Sequence, residues 1–141
     1  ESVSCSRSDS LAVEIYKRHL IEHNLKTELI VLSRERNHVV QARCKKIGIK
    51  CISNNNDKLT YLQSTYKTNS DGYIKNVLYL GNDFNDYKPM KFCEWSASPS
   101  DANPYIKEIS RYVSNSPGGK GFVADVLYKL TGDIEYIISL L

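Results

Sequence analysis

The sequence has no long hydrophobic segment, no obvious targeting signal and no basic block, and each absence excludes a class of protein. No apolar run in the 141 residues is long enough to span a bilayer, and the start ESVSCSRSDS lacks the features of a signal peptide. Nineteen basic residues are scattered among 16 acidic ones, for a net charge of +3, which disfavours nucleic acid. We therefore expect a cytoplasmic protein with no nucleic-acid or membrane partner.

Cysteine is also scarce and poorly placed for cross-links or metal. The four cysteines, Cys5, Cys44, Cys51 and Cys93, form no Cys-x-x-Cys pair and lie near no histidine pattern suited to zinc. We therefore predict reduced, mostly buried thiols instead of a disulfide framework.

What is present is the composition of an ordinary globular domain. Hydrophobic residues make up 41% of the chain and charged residues 25%, and the length suits a single hydrophobic core. We therefore interpret residues 1–141 as one domain.

Short apolar runs alternate with helical patterns along this domain. Strands are predicted at residues 28–33, 50–53 and 76–81, with a further strand and loop at residues 94–102. Helices are predicted at residues 10–23, 37–49, 57–68, 85–93 and 103–113, and a last helix opens at residue 118. This alternation predicts a three-layer α/β fold with a mostly parallel sheet and right-handed crossovers.

Single residues predict where several of these elements begin or end. Asp9 or Ser10 is expected to be the N-cap of the first helix, and Gly48 to close the second. The residues NSDGY at 69–73 predict a turn, and Pro89 is expected to break the short helix around it.

Polar residues follow the predicted strands at their carboxyl ends, where ligands bind in parallel α/β sheets. The candidate site residues are Ser33, Lys58, Asn82, Asp83 and Asp86. A hydroxyl and an ammonium group suit a phosphate, and clustered carboxylates suit a hard divalent cation. Together these residue types predict a phosphate held beside Mg²⁺.

Each candidate also has an ordinary structural alternative. Ser33 could cap the following helix, and Lys58 could be a solvated surface charge beside an N-cap at Asp57. The acidic cluster could be an Asx-rich turn whose side chains bind their own backbone. The coincidence of all of them at strand ends favours the functional interpretation.

These motifs resemble those of the haloacid dehalogenase (HAD) phosphatases. Ser33 after its strand, DKL at residues 57–59 and LGNDFNDYKPM at residues 80–90 look like the second, third and fourth motifs of that family. The stretches SRSDSLAVEIYKRH, SASPSDANPYIKEISRYV and PGGKGFVADV are similar to the 3-deoxy-D-manno-octulosonate 8-phosphate phosphatases. SRERNHVVQARCKK looks like the version of this phosphatase domain that is fused to the C-terminus of acylneuraminate cytidylyltransferases, which make CMP-sialic acid.

The resemblance implies roles for the candidate residues. Ser33 would hydrogen-bond a transferring phosphoryl group, Lys58 would neutralise its charge, and Asn82, Asp83 and Asp86 would lie in the Mg²⁺ loop. It also implies a homo-oligomer, expected to be a tetramer, and a sugar-acid phosphate as substrate. GGKG at residues 118–121 resembles a segment that reaches a neighbouring subunit's active site, although it could equally be the cap of the last helix.

Departures from the family pattern imply weak or absent hydrolysis. The family's nucleophile lies in an Asp-x-Asp motif on the first strand, which this sequence lacks. Asn82 stands where the family usually has Asp, so Mg²⁺ binding should be weak or lost. Glu35 and Ala124 each stand where the family commonly has Arg. The missing motif implies either a natural degenerate domain or a fragment without the usual first strand, and we favour the fragment.

The expected function is that of a phosphatase-like C-terminal domain of an acylneuraminate cytidylyltransferase, serving oligomer assembly with weak or no phosphatase activity. The alternative is a Mg²⁺-dependent HAD phosphatase, fused or free-standing, acting on an octulosonate or nonulosonate phosphate. A receiver-like or nucleotide-binding module is disfavoured because no glycine-rich phosphate loop follows an early strand. The parent protein is expected to be an enzyme, whereas the activity of this chain stays open without the nucleophile motif.

Overall fold

A computed structural model describes residues 7–33, 38–52 and 57–141. Cys5 and Glu35 lie outside these described residues. The chain divides into two compact units, Glu1–Asn54 with Gly119–Leu141, and Asn55–Gly118. Within the described ranges, no helix combines the length and hydrophobicity needed to cross a membrane.

Helices and strands alternate as the sequence predicts. In chain order the elements are α1 (Arg7–Glu22), β1 (Ile30–Leu32), α2 (His38–Ile47), β2 (Lys50–Ile52), α3 (Lys58–Thr65), β3 (Ile74–Leu80), a 3₁₀ turn (Phe84–Asp86), α4 (Tyr87–Phe92), β4 (Cys93–Ser98), α5 (Pro104–Ile109), β5 (Tyr112–Val113), α6 (Phe122–Thr131) and α7 (Ile134–Ser139).

The first unit contains a parallel strand pair and a helical core. β1 pairs with β2, with Val31 opposite Cys51. The core lies between the apolar faces of α1 and α6 because their small and large side chains interlock there. Its buried members are Ala12, Val13, Tyr16, Leu20, Ala124 and Leu127.

Two helices of the first unit end with the same backbone motif. Gly48 adopts a left-handed conformation with φ of 74°, and the N–H of Ile49 donates to the carbonyl of Cys44. The prediction that Gly48 closes α2 is therefore confirmed. At the end of α1, Asn24 takes the left-handed position with φ of 53°, and the N–H of Leu25 donates to a carbonyl one turn back.

The predicted N-cap of α1 is wrong. Because α1 begins at Arg7, Asp9 and Ser10 both lie inside the helix. Asp9 is buried, and its Oδ1 accepts the backbone N–H of Ala124 at 2.9 Å. That N–H belongs to the first turn of α6, whose own N-cap, Gly121, has no side chain to offer. Asp9 therefore caps α6 from the neighbouring helix.

The second unit contains a three-stranded parallel sheet in the order β3-β4-β5. Leu80 of β3 lies opposite Ala97 of β4, and Ala97 lies opposite Tyr112 of β5. The register of β3 shifts between Ile74 and Leu78, where Asn76 has a positive φ of 59°. The largest fully buried side chains of this unit include Ile74, Met90 and Ile106.

Three predicted boundaries in the chain differ from the structure. Pro89 does not break its helix, because it is the third residue of α4, where an N–H would have no partner inside the helix. Residues 112–113 form strand β5 instead of ending a helix, because they pair with β4. The helix after GGKG is not the last one, because α7 follows it.

The described cysteines are free thiols, as predicted. Cys44 and Cys93 are buried and Cys51 is half-buried. Burial raises the pKa of the Cys93 thiol to about 12, which keeps it protonated and chemically inert near neutral pH.

Replacing Asp9 with Ala should destabilise the protein by about 1–3 kcal/mol, because the buried N–H of Ala124 loses its acceptor. Asp9→Asn should cost less, since the amide oxygen can still accept that hydrogen bond. Urea denaturation followed by circular dichroism measures both changes.

Glu14→Ala is the control, since Glu14 lies on the exposed face of the same helix and pairs with exposed Arg18. It should change stability by less than about 0.5 kcal/mol. Equal losses for Asp9→Ala and Glu14→Ala would show that the cap on α6 contributes nothing.

Candidate functional site

The loop that follows β3 begins at a glycine for reasons of space. The N–H of Gly81 continues the ladder by donating to the carbonyl of Ala97 at 3.1 Å. A Cβ at this position would lie 2.5 Å from the Cβ of Asp86 and 2.8 Å from the Sδ of Met90. Only glycine therefore lets the strand end and Asp86 approach this closely.

Asp86 is the centre of a buried hydrogen-bond network in the second unit. Its Oδ1 accepts the Tyr79 hydroxyl at 2.6 Å and lies 3.2 Å from Nζ of Lys58. Its Oδ2 accepts the N–H of Asn82 at 2.9 Å and that of Asp83 at 3.3 Å. The Lys58 and Asp86 side chains are each only 4% exposed, so this ion pair is almost fully removed from solvent.

Lys58 is placed in the network by the start of α3. Asp57 is the N-cap, as predicted, and its carboxylate accepts the N–H and the hydroxyl of Thr60. These hydrogen bonds, followed by the charge of Lys88, hold the pKa of Asp57 below its usual value. An ammonium group at the positive end of a helix is unfavourable, and the Asp86 carboxylate offsets that cost. Lys58 is buried, so the alternative that it is a solvated surface charge is wrong.

Asn82 and Asp83 lie on the exposed part of the loop. The carbonyl of Asn82 accepts the N–H of Asn103, and the carboxylate of Asp83 accepts the N–H of Phe84 to begin the 3₁₀ turn. Asp83 and Asp86 together form a capping box around that turn. The acidic cluster thus contains a turn whose side chains bind their own backbone, as the structural alternative predicted.

The loop offers only limited ligation for a metal ion. Both oxygens of Asp86 receive hydrogen bonds, so this carboxylate orients the loop, whereas the exposed Asn82 and Asp83 side chains are the candidates to reach a cation. In the described ranges, no three His, Cys, Asp or Glu side chains cluster in a way that could hold a metal. Mg²⁺ is usually bound by one or two carboxylates together with phosphate oxygens. The ligation predicted for Asn82, Asp83 and Asp86 stays a prediction, and these donors fit weak binding.

Ser33 belongs to the first unit and follows β1 directly. It is buried, and its N–H donates to the carbonyl of Ile52 at 2.9 Å. The described part of α2 begins at His38, and the stretch that would decide whether Ser33 caps this helix lies outside the described residues. Its predicted role beside a phosphate stays a prediction.

Tyr79 is a member of the network that the sequence did not indicate as a site residue. Its position in the apolar end of β3 predicts a core residue, and its ring is indeed buried. The available signal is its hydroxyl, because a buried Tyr O–H requires a partner and Asp86 follows only seven residues later.

Gly81→Ala should destabilise the protein by about 1–3 kcal/mol, because the new methyl group must displace Asp86 or Met90. Gly118→Ala is the matched control, since a Cβ there meets its nearest atoms at 3.6 Å and 3.7 Å, which is ordinary contact. Urea denaturation compares the two variants. Equal effects would contradict the close approach at Gly81.

No family model matches the chain. Solved structures do resemble it. A protein assigned to the HAD family of hydrolases from Streptomyces avermitilis MA-4680 is 29% identical, with TM-score 0.72 over 90% of this chain and 74% of its own. The 3-deoxy-D-manno-octulosonate 8-phosphate phosphatase of Moraxella catarrhalis, in complex with magnesium, phosphate and KDO, is 22% identical, with TM-score 0.71 over 97% and 71% of the two chains. A cobalt-bound deoxy-D-mannose-octulosonate 8-phosphate phosphatase from Haemophilus influenzae is 23% identical, with TM-score 0.72 over 92% and 74%. The chain therefore has the fold of the HAD hydrolases, a mixed α/β architecture with parallel strands.

Proposed function

We propose that the chain is a HAD phosphatase-like domain that binds the phosphate group of a sugar-acid phosphate at Lys58. The buried pair of Lys58 and Asp86, 3.2 Å apart at the carboxyl end of β3, is the observation that carries this proposal. A buried ion pair seldom adds stability over apolar residues of the same size, so its presence favours a functional role. Its position is the sheet edge where parallel α/β folds bind ligands.

The chain's own residues account for phosphate binding in this proposal. Asp86 holds the Lys58 ammonium in one position, and a fixed positive charge stabilises phosphoryl oxygens without rearrangement. Because Asp86 also binds the amides of Asn82 and Asp83, the same carboxylate sets the conformation of the adjoining loop.

Mg²⁺, where bound, would neutralise part of the charge on the phosphate, and Asn82 and Asp83 would hold it. The Moraxella phosphatase was solved with magnesium and phosphate. We propose that this chain binds both. Asn82 supplies a neutral oxygen, so we expect weak Mg²⁺ affinity.

Hydrolysis is expected to be weak or absent. Covalent phosphoryl transfer needs a positioned nucleophile, and the sequence has no Asp-x-Asp motif. Within the described network, Asp86 is occupied by four donors and holds Lys58 instead of attacking phosphorus. The substrate class we propose is an octulosonate or nonulosonate phosphate, bound more readily than it is turned over.

A second candidate function is assembly of an acylneuraminate cytidylyltransferase into a homo-tetramer. It is favoured by an apolar surface on the C-terminal helices of the first unit. Leu130, Ile134, Ile138 and Leu141 are 48%, 71%, 59% and 68% exposed. Ile134 and Ile138 are four residues apart and share a helix face, and exposed apolar faces mark protein–protein contact sites. We propose a second copy of the chain as its partner, and the mass of the natural polypeptide distinguishes the fused form from a free-standing phosphatase.

Removing the Lys58 charge should weaken phosphate binding at least about tenfold, because a charge-assisted hydrogen bond is lost. The double variant Lys58→Met with Asp86→Asn removes both charges at similar size and avoids an unpaired buried carboxylate. Inorganic phosphate is titrated with Mg²⁺ present by calorimetry, and phosphate release from 3-deoxy-D-manno-octulosonate 8-phosphate and N-acetylneuraminate 9-phosphate is measured separately.

Lys88→Ala is the control, since Lys88 is exposed on α4 in the same unit. It should bind phosphate as the unmodified chain does. Phosphate binding that survives in the double variant, or that is absent in the unmodified chain, would refute the role of Lys58. Rapid turnover by the unmodified chain would contradict weak hydrolysis.

Ile134→Lys with Ile138→Lys should dissociate the oligomer without unfolding it, because both side chains are exposed in the monomer. Light scattering after size-exclusion chromatography measures the mass. Val39→Lys is the matched control, since Val39 on α2 is 71% exposed, the same fraction as Ile134. A monomeric unmodified chain, or equal dissociation by Val39→Lys, would exclude this surface.

A further inference from the structure

Two histidines at the C-terminal end of α1, His19 in its last turn and His23 directly after it, direct ring nitrogens at the same hydroxyl group. Nδ1 of His19 lies 2.9 Å from the hydroxyl oxygen of Tyr136 on α7, and Nε2 of His23 lies 2.8 Å from it. The two imidazole centroids are 4.8 Å apart, and both rings pack edge-on to the tyrosine ring. Two nitrogens therefore converge on one point at the partly exposed surface of the first unit.

The backbone under this pair is fixed before any ligand binds. Residues four apart lie on the same helix face, and the N–H of His23 donates to the carbonyl of His19 at 3.1 Å. The left-handed Asn24 and the N–H of Leu25, which donates back to the carbonyl of Leu20 at 2.8 Å, close the helix immediately afterwards. The buried face of α1 packs against α6, so the histidines project from an anchored helix.

A single hydroxyl can hydrogen-bond to both imidazoles only if it donates to one of them and accepts from the other. Its one hydrogen can be donated to one ring nitrogen, so the other nitrogen must carry a hydrogen and donate to the oxygen. A metal ion imposes no such division, because it accepts the lone pairs of both neutral imidazoles at once.

The local charges also favour a cation. Both histidines lie at the C-terminal end of α1, where the helix dipole is negative, and Glu22 lies between them in sequence. These negative groups favour a cation at the surface beside the two imidazoles.

We propose that His19 and His23 form a two-imidazole binding site for a divalent transition-metal ion of the Zn²⁺, Ni²⁺ or Cu²⁺ class. Imidazole suits these ions, and histidines at i and i+4 on a helix are a recurrent way to hold them. Solvent completes the coordination, because no cluster of three acidic, His or Cys ligands exists in the part of the chain that the structure describes. The site consists of first-unit residues alone and does not rest on the proposed function.

The test is calorimetric titration of the complete tag-free chain with Ni²⁺, with histidine NMR resonances recorded on the same samples. One equivalent should bind and perturb the His19 and His23 resonances. His19→Ala and His23→Ala should each weaken binding at least about tenfold, since even losing a partner of a metal ligand commonly costs that much. Tyr136→Phe should bind at least as tightly, because the competing hydroxyl is gone.

His38→Ala is the matched control, since His38 is the only other histidine of the chain and is exposed at the start of α2. It should bind Ni²⁺ like the unmodified chain. Binding that persists in the double variant His19→Ala with His23→Ala, or that disappears in His38→Ala, would overturn the assignment. Failure of the folded, unmodified chain to bind Ni²⁺ would overturn it as well.

Discussion

The carboxylate of Asp86 connects three parts of the second unit. It receives an ammonium from the start of α3, a hydroxyl from β3 and two amides from the loop after β3. A buried carboxylate costs several kcal/mol, roughly, unless donors replace its water, and here four donors do so. The position of Lys58 and the shape of the loop are thus consequences of one satisfied charge.

The same carboxylate shows which part of the site was predictable. The sequence indicates Lys58 and Asp86 as site residues because both lie where strand and helix ends meet. It does not indicate that they pair, because the pairing depends on how α3 packs against α4. Nor does it reveal that Asp86 orients a loop instead of presenting a free oxygen, since that depends on the Tyr79 hydroxyl and on backbone amides.

The elements of the fold also differ in whether nearby residues or distant contacts determine them. Strands β1 to β4, the Asp57 cap and the closure at Gly48 were predictable because periodicity and single-residue signals determine them. Asp9 was misassigned because its partner is an N–H on α6, more than a hundred residues away. β5 was missed because two residues carry no periodicity and become a strand only by pairing with β4.

At residue 82 the backbone supports the fold, whereas the side chain bears on the chemistry of the site. Asn82 is held through its backbone, with its N–H donating to Asp86 and its carbonyl accepting from Asn103. Its side chain is exposed, so an Asp at this position would make the same backbone hydrogen bonds and keep the loop in place. We therefore expect exchange between Asn and Asp at this position to change cation affinity and to leave stability almost unaffected. The loop, the buried pair and the sheet therefore do not depend on catalysis, which is why we propose that this domain can serve binding or assembly.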